Sequence, residues 1–202
     1  LIDGSNATGK LNLDATGATK SMTIKGGSAN DTITASDVAG VVSTITGGKG
    51  ADTIALGATD ANNKGDVIKL TGQADSTAAA FDKITNFTGA TTAAANADKI
   101  DVSAFGFTGA QADMFTLGAA QVTTAGTGVN ATFTIADTAA QDFFANAGAD
   151  KGVALYTTST ETFAFIDADK NGNWDAGTDS VMLLGGDYST DALTAAGSFT
   201  FA

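Results

Sequence analysis

Cysteine, histidine and proline are all absent, glutamate occurs once, at Glu161, and all 10 basic residues are lysine. Without cysteine there is no disulfide route to stability. A chain of this length holds about ten prolines at average usage. Having none removes slow prolyl isomerisation, which takes tens of seconds, and suits a chain that crosses a membrane unfolded and folds afterwards. Refolding is accordingly expected to show no slow prolyl phase. With no His, Cys or Arg, a single Glu and no G-x-S-x-G elbow, the usual acid, base and nucleophile sets cannot be assembled, so the sequence reads as non-enzymatic. No apolar run approaches the ~18 residues of a membrane span. Leu1 to Leu11 has no basic start followed by an apolar run, and no initiator Met is present, so the sequence reads as the C-terminal part of a longer protein.

What remains is aspartate. The 22 acidic residues against 10 basic give a net charge of −12, which argues against nucleic acid or an anionic membrane as partner and for a divalent cation. Aspartate is shorter and more turn-compatible than glutamate, so an acidic set made almost wholly of it suits oxygen ligands presented from loops.

Two stretches share one design and start 21 residues apart: Gly26 to Thr34 (GGSANDTIT) and Gly47 to Ala55 (GGKGADTIA). Both follow G-G-x-G-x-D-x-U-x, with U apolar, a repeat in which a tight loop feeds a short strand of a parallel β-coil and binds Ca²⁺. The second copy is complete, with Gly47, Gly48, Gly50, Asp52 and Ile54. The first keeps Gly26, Gly27, Asp31 and Ile33 but has Ala29 at the third glycine position. Either that loop is strained by about 1 kcal/mol or the position has relaxed to ordinary backbone geometry. A third, degenerate loop follows at Asn62 to Ile68, where Asn63 stands for glycine and Asp66 for the ligand. The alternative is plain Gly-Asn-Asp turns between strands.

Apolar residues Leu13, Ile24, Ile33, Ile45, Ile54 and Ile68 trace the coil, a 9-residue half-turn alternating with a longer return. Stacked turns place Asp31 and Asp52 on one edge, where Ca²⁺ fits between successive loops. The expected fold is all-β: a short parallel β-roll or β-helix over residues 1–75, then a β-rich C-terminal cap with one or two short helices over 76–202. A short turn or cap is expected within Ser76 to Ala80 and a helix from Asp137 through Asn146, the latter with Phe143 and Phe144 in need of cover. Asp82-x-Ile84 and Asp98-x-Ile100 read as two strands ending the roll, and Phe199 and Phe201 as a closing strand.

Between the strand-like Phe163 to Ile166 and Val181 to Leu184 runs Asp167-Ala-Asp169-Lys-Asn171-Gly172-Asn-Trp174-Asp175. This D-x-D-x-N-G-x-x-D spacing reproduces the first nine positions of an EF-hand loop, with Gly172 at the sharp turn. The twelfth position carries Thr178 instead of the bidentate Glu, with Asp179 one place later, and the flanks are strands. The reading is a hairpin with a calcium-like loop at Asp167, Asp169, Asn171 and Asp175; an ordinary Asn-Gly hairpin turn is the alternative.

These residues together resemble the RTX (repeats-in-toxin) calcium-binding proteins that Gram-negative bacteria export by type I secretion. GGKGADTIA and GGSANDTIT are similar to its nonapeptides, FDKITNF with ADKIDVSAFGF to the segment closing its roll, and AFIDADKNGNWDAGTDSVMLLGG with the terminal FTFA to its secretion region. The resemblance implies an uncleaved C-terminal export signal handled by the type I secretion machinery and folding on external calcium. It places the protein outside the cell, on the surface of a Gram-negative bacterium. Few repeats, diluted by Thr, Ala and Gly, are most similar to the family's surface-layer (S-layer) proteins. Calcium would then order the roll and support self-association into a lattice. A secretion and folding tail of a protease, lipase or adhesin is the alternative. A Thr-array surface for ice or glycans is a third, and it needs flat outward files through steps such as Thr32 with Thr34.

Overall fold

Strands of two to four residues separated by turns cannot bury a face alone, and in the computed structural model they do so by stacking in parallel into two sheets, one of which goes on into an antiparallel meander. The structure describes residues 1–57, 65–89, 97–109, 112–117, 122–128, 131–135, 143–146, 149–185 and 198–201. Successive strands alternate between sheets. One sheet has the order β1 (Ile2–Asp3), β3 (Met22–Lys25), β5 (Ser43–Thr46), β7 (Val67–Lys69), β9 (Lys99–Asp101) and β18 (Phe199–Thr200), all parallel. The other begins β2 (Asn12–Asp14), β4 (Thr32–Thr34), β6 (Thr53–Ala55) and β8 (Lys83–Thr85), also parallel. It continues through β17 (Ser180–Gly185), β16 (Glu161–Ile166), β15 (Val153–Thr157) and β10 (Met114–Thr116). Two small hairpins complete the strands: β11 (Val122–Ala125) with β12 (Thr132–Ile135), and β13 (Ala145–Asn146) with β14 (Ala149–Asp150). Both main sheets therefore run on past residue 75 without a break.

The register follows the apolar trace. Leu13, Ile33, Ile54 and Ile84 form one inward file, and Ile2, Ile24, Ile45, Ile68, Ile100 and Phe199 the facing one. The isoleucines from Ile24 to Ile100 are essentially inaccessible, and a parallel strand keeps its register because a one-residue slip would turn this whole set outward. The outward positions are mostly polar, with Ala55 and Val67 among the exceptions, and the threonine files stay short. Thr32 and Thr53 are followed by Lys83, and Thr23 and Thr44 by Val67, so among the described residues no long flat threonine array forms.

β15, β16 and β17 are buried on both faces, which accounts for their continuous apolar runs. Leu155, Ile166 and Leu184 face the core between the sheets. Tyr156, Phe165 and Leu183 face a second core with Phe115, Phe143 and Phe144.

The helical expectations shift in part. Gln73–Asp75 is a single 3-10 turn, and within Ser76 to Ala80 the chain makes the short turn expected there, at Ala78 and Ala79, closed by Thr77 and Ala80; the Ser76 hydroxyl donates to the Val181 carbonyl and accepts from Asp82 N–H. A second 3-10 turn spans Ser103–Phe105. Of the helix expected over Asp137 to Asn146, residues 136–142 lie outside the described set. Phe143 and Phe144 form a turn and Ala145–Asn146 a strand, because β14 supplies the pairing that a helix would have had to make internally.

Candidate metal centres

The D-x-I step of the sequence becomes a ladder of carboxylates. Each Asp sits two residues before an inward isoleucine, and its Oδ1 accepts the backbone N–H of the equivalent residue one turn earlier. On one edge Asp31 accepts from Leu11 N (2.8 Å), Asp52 from Asp31 N (2.7 Å) and Asp82 from Asp52 N (2.9 Å). On the other edge Asp66 accepts from Ser43 N (2.7 Å) and Asp98 from Asp66 N (2.6 Å). All five aspartates are buried. Asp31 and Asp52 thus share an edge as expected. Asp66 does not join them: it lies half a turn away, in register with Asp98, because Ile68 belongs to the sheet of Ile45. Asn63 lies outside the described residues.

The glycines work by closeness more than by positive φ. Only Gly48 (φ 98°) and Gly50 (φ 115°) of the two loops are left-handed; Gly26, Gly27 and Gly47 are not. A Cβ at Gly26 would stand 2.0 Å from Gly47 O, and one at Gly27 2.4 Å from Ala7 O. Loops at this distance join directly, with Ser28 N donating to Ala7 O and Lys49 N to Gly27 O, each at 3.0 Å. Ala29 has ordinary negative φ, which selects the relaxed alternative for that position.

The two loops differ at the carboxylate. Both oxygens of Asp31 are held by N–H donors, Leu11 on Oδ1 and Gly27 on Oδ2 at 2.6 Å. Asp52 Oδ2 is buried without a hydrogen-bond partner and lies against Gly47, where a Cβ would come within 2.4 Å of it. Burial pushes the Asp52 pKa up to about 6 against the pull of the Asp31 N–H, with the Asp31 and Asp75 charges adding to the rise. Burial beside Asp52 also holds Asp82 well above the usual carboxylate range. An orphaned buried carboxylate oxygen is satisfied by a proton or a cation, so the second loop fits a hard cation and the first has its oxygens engaged.

This difference yields a pair of expected results. In chelator Asp52→Ala strands the buried Asp31 N–H and costs about 1–3 kcal/mol. Asp52→Asn keeps an acceptor for that N–H and removes the buried charge, so in chelator it is neutral or stabilising. Exposed Asp37 supplies the control, with Asp37→Ala within about 0.5 kcal/mol. Urea midpoints in chelator measure all three.

The strongest centre is at the β16–β17 hairpin. Oxygens of Asp167, Asp169 and Asp179 all lie within 4.8 Å of one another, and this group could hold a metal ion. Asp167 and Asp179 are fully buried at the strand ends, and Asp169 is exposed. Gly172 makes the sharp turn at φ 80°. Its N–H and that of Asn171 donate to Asp167 (3.0 and 3.1 Å), while Asp179 accepts from Ala168 N (2.9 Å) and Asp175 N (2.8 Å). These bonds do not offset desolvation. Burial carries Asp167 up to about 6, and Asp179 up to about 7 with the Asp167 charge adding to it.

Searched against protein-family models and curated proteins, the chain matches none.

Of the four hairpin residues expected as ligands, Asp167 and Asp169 come together. Asn171 instead donates its amide to Asp169 (3.0 Å) and Asp175 (2.8 Å), and Asp175 lies outside the group. Asp179 replaces it. The sequence shows Asp179 one place past the EF-hand's terminal ligand, and pairing of Ile166 with Ser180 closes the hairpin so that Asp167 and Asp179 are the first residues beyond the ladder on either side.

Proposed function

We propose that the chain is a calcium-ordered structural region of a secreted surface-layer protein of the RTX type. The observation that carries the reading is the Asp167, Asp169 and Asp179 group in a D-x-D-x-N-G loop, two of its three carboxylates buried and crowded. Hard oxygen ligands on a flexible loop favour Ca²⁺ over metals that need nitrogen or sulfur. The buried, unpaired Asp52 Oδ2 in the complete nonapeptide supports a second ion. A divalent ion relieves the self-repulsion of a −12 chain, and affinities are expected near the ~10⁻⁴ to 10⁻³ M of extracellular modules. Short strands with polar outward files give stiff walls suited to a lattice subunit. Among the described residues no helix is long and apolar enough to cross a membrane.

Asp179→Asn removes a charged ligand from the hairpin and is expected to weaken calcium binding about tenfold or more, read by titration calorimetry. Electron microscopy of the protein with calcium and with chelator tests the assembly claim. Periodic arrays that dissolve on chelation are expected. Dispersed particles under both conditions would replace the lattice reading with that of a secretion and folding tail.

A further inference from the structure

Asn171-Gly172 is the sole Asn-Gly pair in the sequence. In such a pair the glycine nitrogen meets no Cβ as it approaches the asparagine Cγ, and the side-chain amide is readily lost. Gly172 N gives up its proton and bonds to Asn171 Cγ, the Cγ–Nδ2 bond breaks and ammonia leaves. Water then opens the resulting succinimide to aspartate or isoaspartate.

In the folded loop each participating atom is held away from this path. Gly172 is buried, and its N–H donates to Oδ2 of the buried Asp167 at 3.0 Å. Asn171 Nδ2 donates to Asp169 Oδ2 at 3.0 Å and Asp175 Oδ2 at 2.8 Å, and Asn171 Oδ1 accepts from Asn173 N at 2.7 Å. Developing negative charge on Gly172 N would also face Asp150, whose carboxylate lies 3.1 Å from where a Gly172 Cβ would stand. Asn171 itself is exposed, so water reaches the site once the loop loosens.

We infer that Asn171 is a guarded deamidation site: Asp167, by holding the Gly172 N–H, keeps the amide intact while the hairpin loop is closed, and opening of the loop converts residue 171 irreversibly. The product matters to the loop. Two amide donations to Asp169 and Asp175 become carboxylate-on-carboxylate repulsion, and the isoaspartate form adds a backbone methylene at the tightest point of the turn. An opened loop is thereby barred from returning to its original form, which leaves a permanent record of chains that lost their order. This inference uses the loop's hydrogen bonds alone and does not depend on which ion the hairpin holds.

Peptide mass spectrometry after incubation at mildly alkaline pH tests it by following ammonia loss at residue 171 against Asn30. In the native chain Asn171 is expected to deamidate at least about tenfold more slowly than in the same chain unfolded in urea, with sub-denaturing urea raising the rate as the loop opens. Asp167→Ala, where it remains folded by circular dichroism, is expected to raise the rate at 171 about tenfold and leave Asn30 unchanged. A native rate equal to the unfolded rate would overturn the proposal, as would a folded Asp167→Ala chain that deamidates no faster than the parent.

Discussion

Stripped of divalent ions, the protein is expected to lose stability as pH rises from about 4 toward 7, and to regain it when calcium is added. Asp52 and Asp167 are raised from 3.8 to about 6 and Asp179 to about 7, each chiefly by burial. A raised folded pKa means that between 3.8 and the folded value the native state binds more protons than the unfolded chain, so unfolding free energy falls with pH across that window. Below the unfolded pKa all three are protonated in both states and carry no penalty. For single independent groups the shifts of about 2 units at Asp52 and Asp167 correspond to about 3 kcal/mol each, and that of about 3 units at Asp179 to about 4 kcal/mol. Asp167 and Asp179 interact, so their contributions are shared and the total is expected to be several kcal/mol. A bound cation keeps the same carboxylates ionised without that penalty and flattens the profile. Thermal melts in chelator at pH 5 and pH 8 measure the effect, and a chelated protein that melts higher at pH 8 would contradict the assigned burial of charge.

Gly48→Ala is the second large effect. A Cβ there would stand 2.1 Å from Gly27 O and 3.1 Å from Gly27 C, and φ is 98°, so steric overlap and left-handed strain act together. The obstructing atoms are backbone, and Gly27 O also accepts the Lys49 N–H that joins the loops, so relief requires the two turns to part. The expected loss is about 4 kcal/mol or more. Gly17→Ala, with nothing within 4 Å of the added carbon, is the matched control and is expected to change stability by less than about 1 kcal/mol. Urea unfolding of the two variants side by side gives the comparison.

The coil was legible because one short signal, aspartate two residues before an inward isoleucine, marks the rungs of Ile33, Ile54, Ile68, Ile84 and Ile100, with Ser43 in its place only before Ile45. That signal does not need the glycine pair, which is why Asp82 and Asp98 join the ladders although their loops lack it. Local pattern could not say which sheet edge receives the C-terminal hairpin. β17 pairs with β8 through Leu183 with Lys83 and Leu184 with Ile84, a contact between segments about a hundred residues apart that no local periodicity encodes. The expected helix end at Ala145 and Asn146 gave way to a strand for a local reason, antiparallel pairing with Asp150 and Ala149 in a tight hairpin. At the hairpin the sequence template counts along an EF-hand to Asp175, whereas strand pairing sets the loop ends and groups Asp179 with Asp167 and Asp169.

Trp174, the sole tryptophan, lies in this loop and packs edge-on against Phe165 at 4.8 Å, so its emission reports the order of the hairpin directly. Calcium titration of the exhaustively chelated protein, followed by Trp174 fluorescence together with the melting temperature, tests the central claim. A saturable change in emission with a rise of many degrees in melting temperature is expected, absent at equal ionic strength of sodium and diminished in Asp179→Asn. An unchanged emission spectrum and melting temperature across the titration would contradict a cation held by these carboxylates.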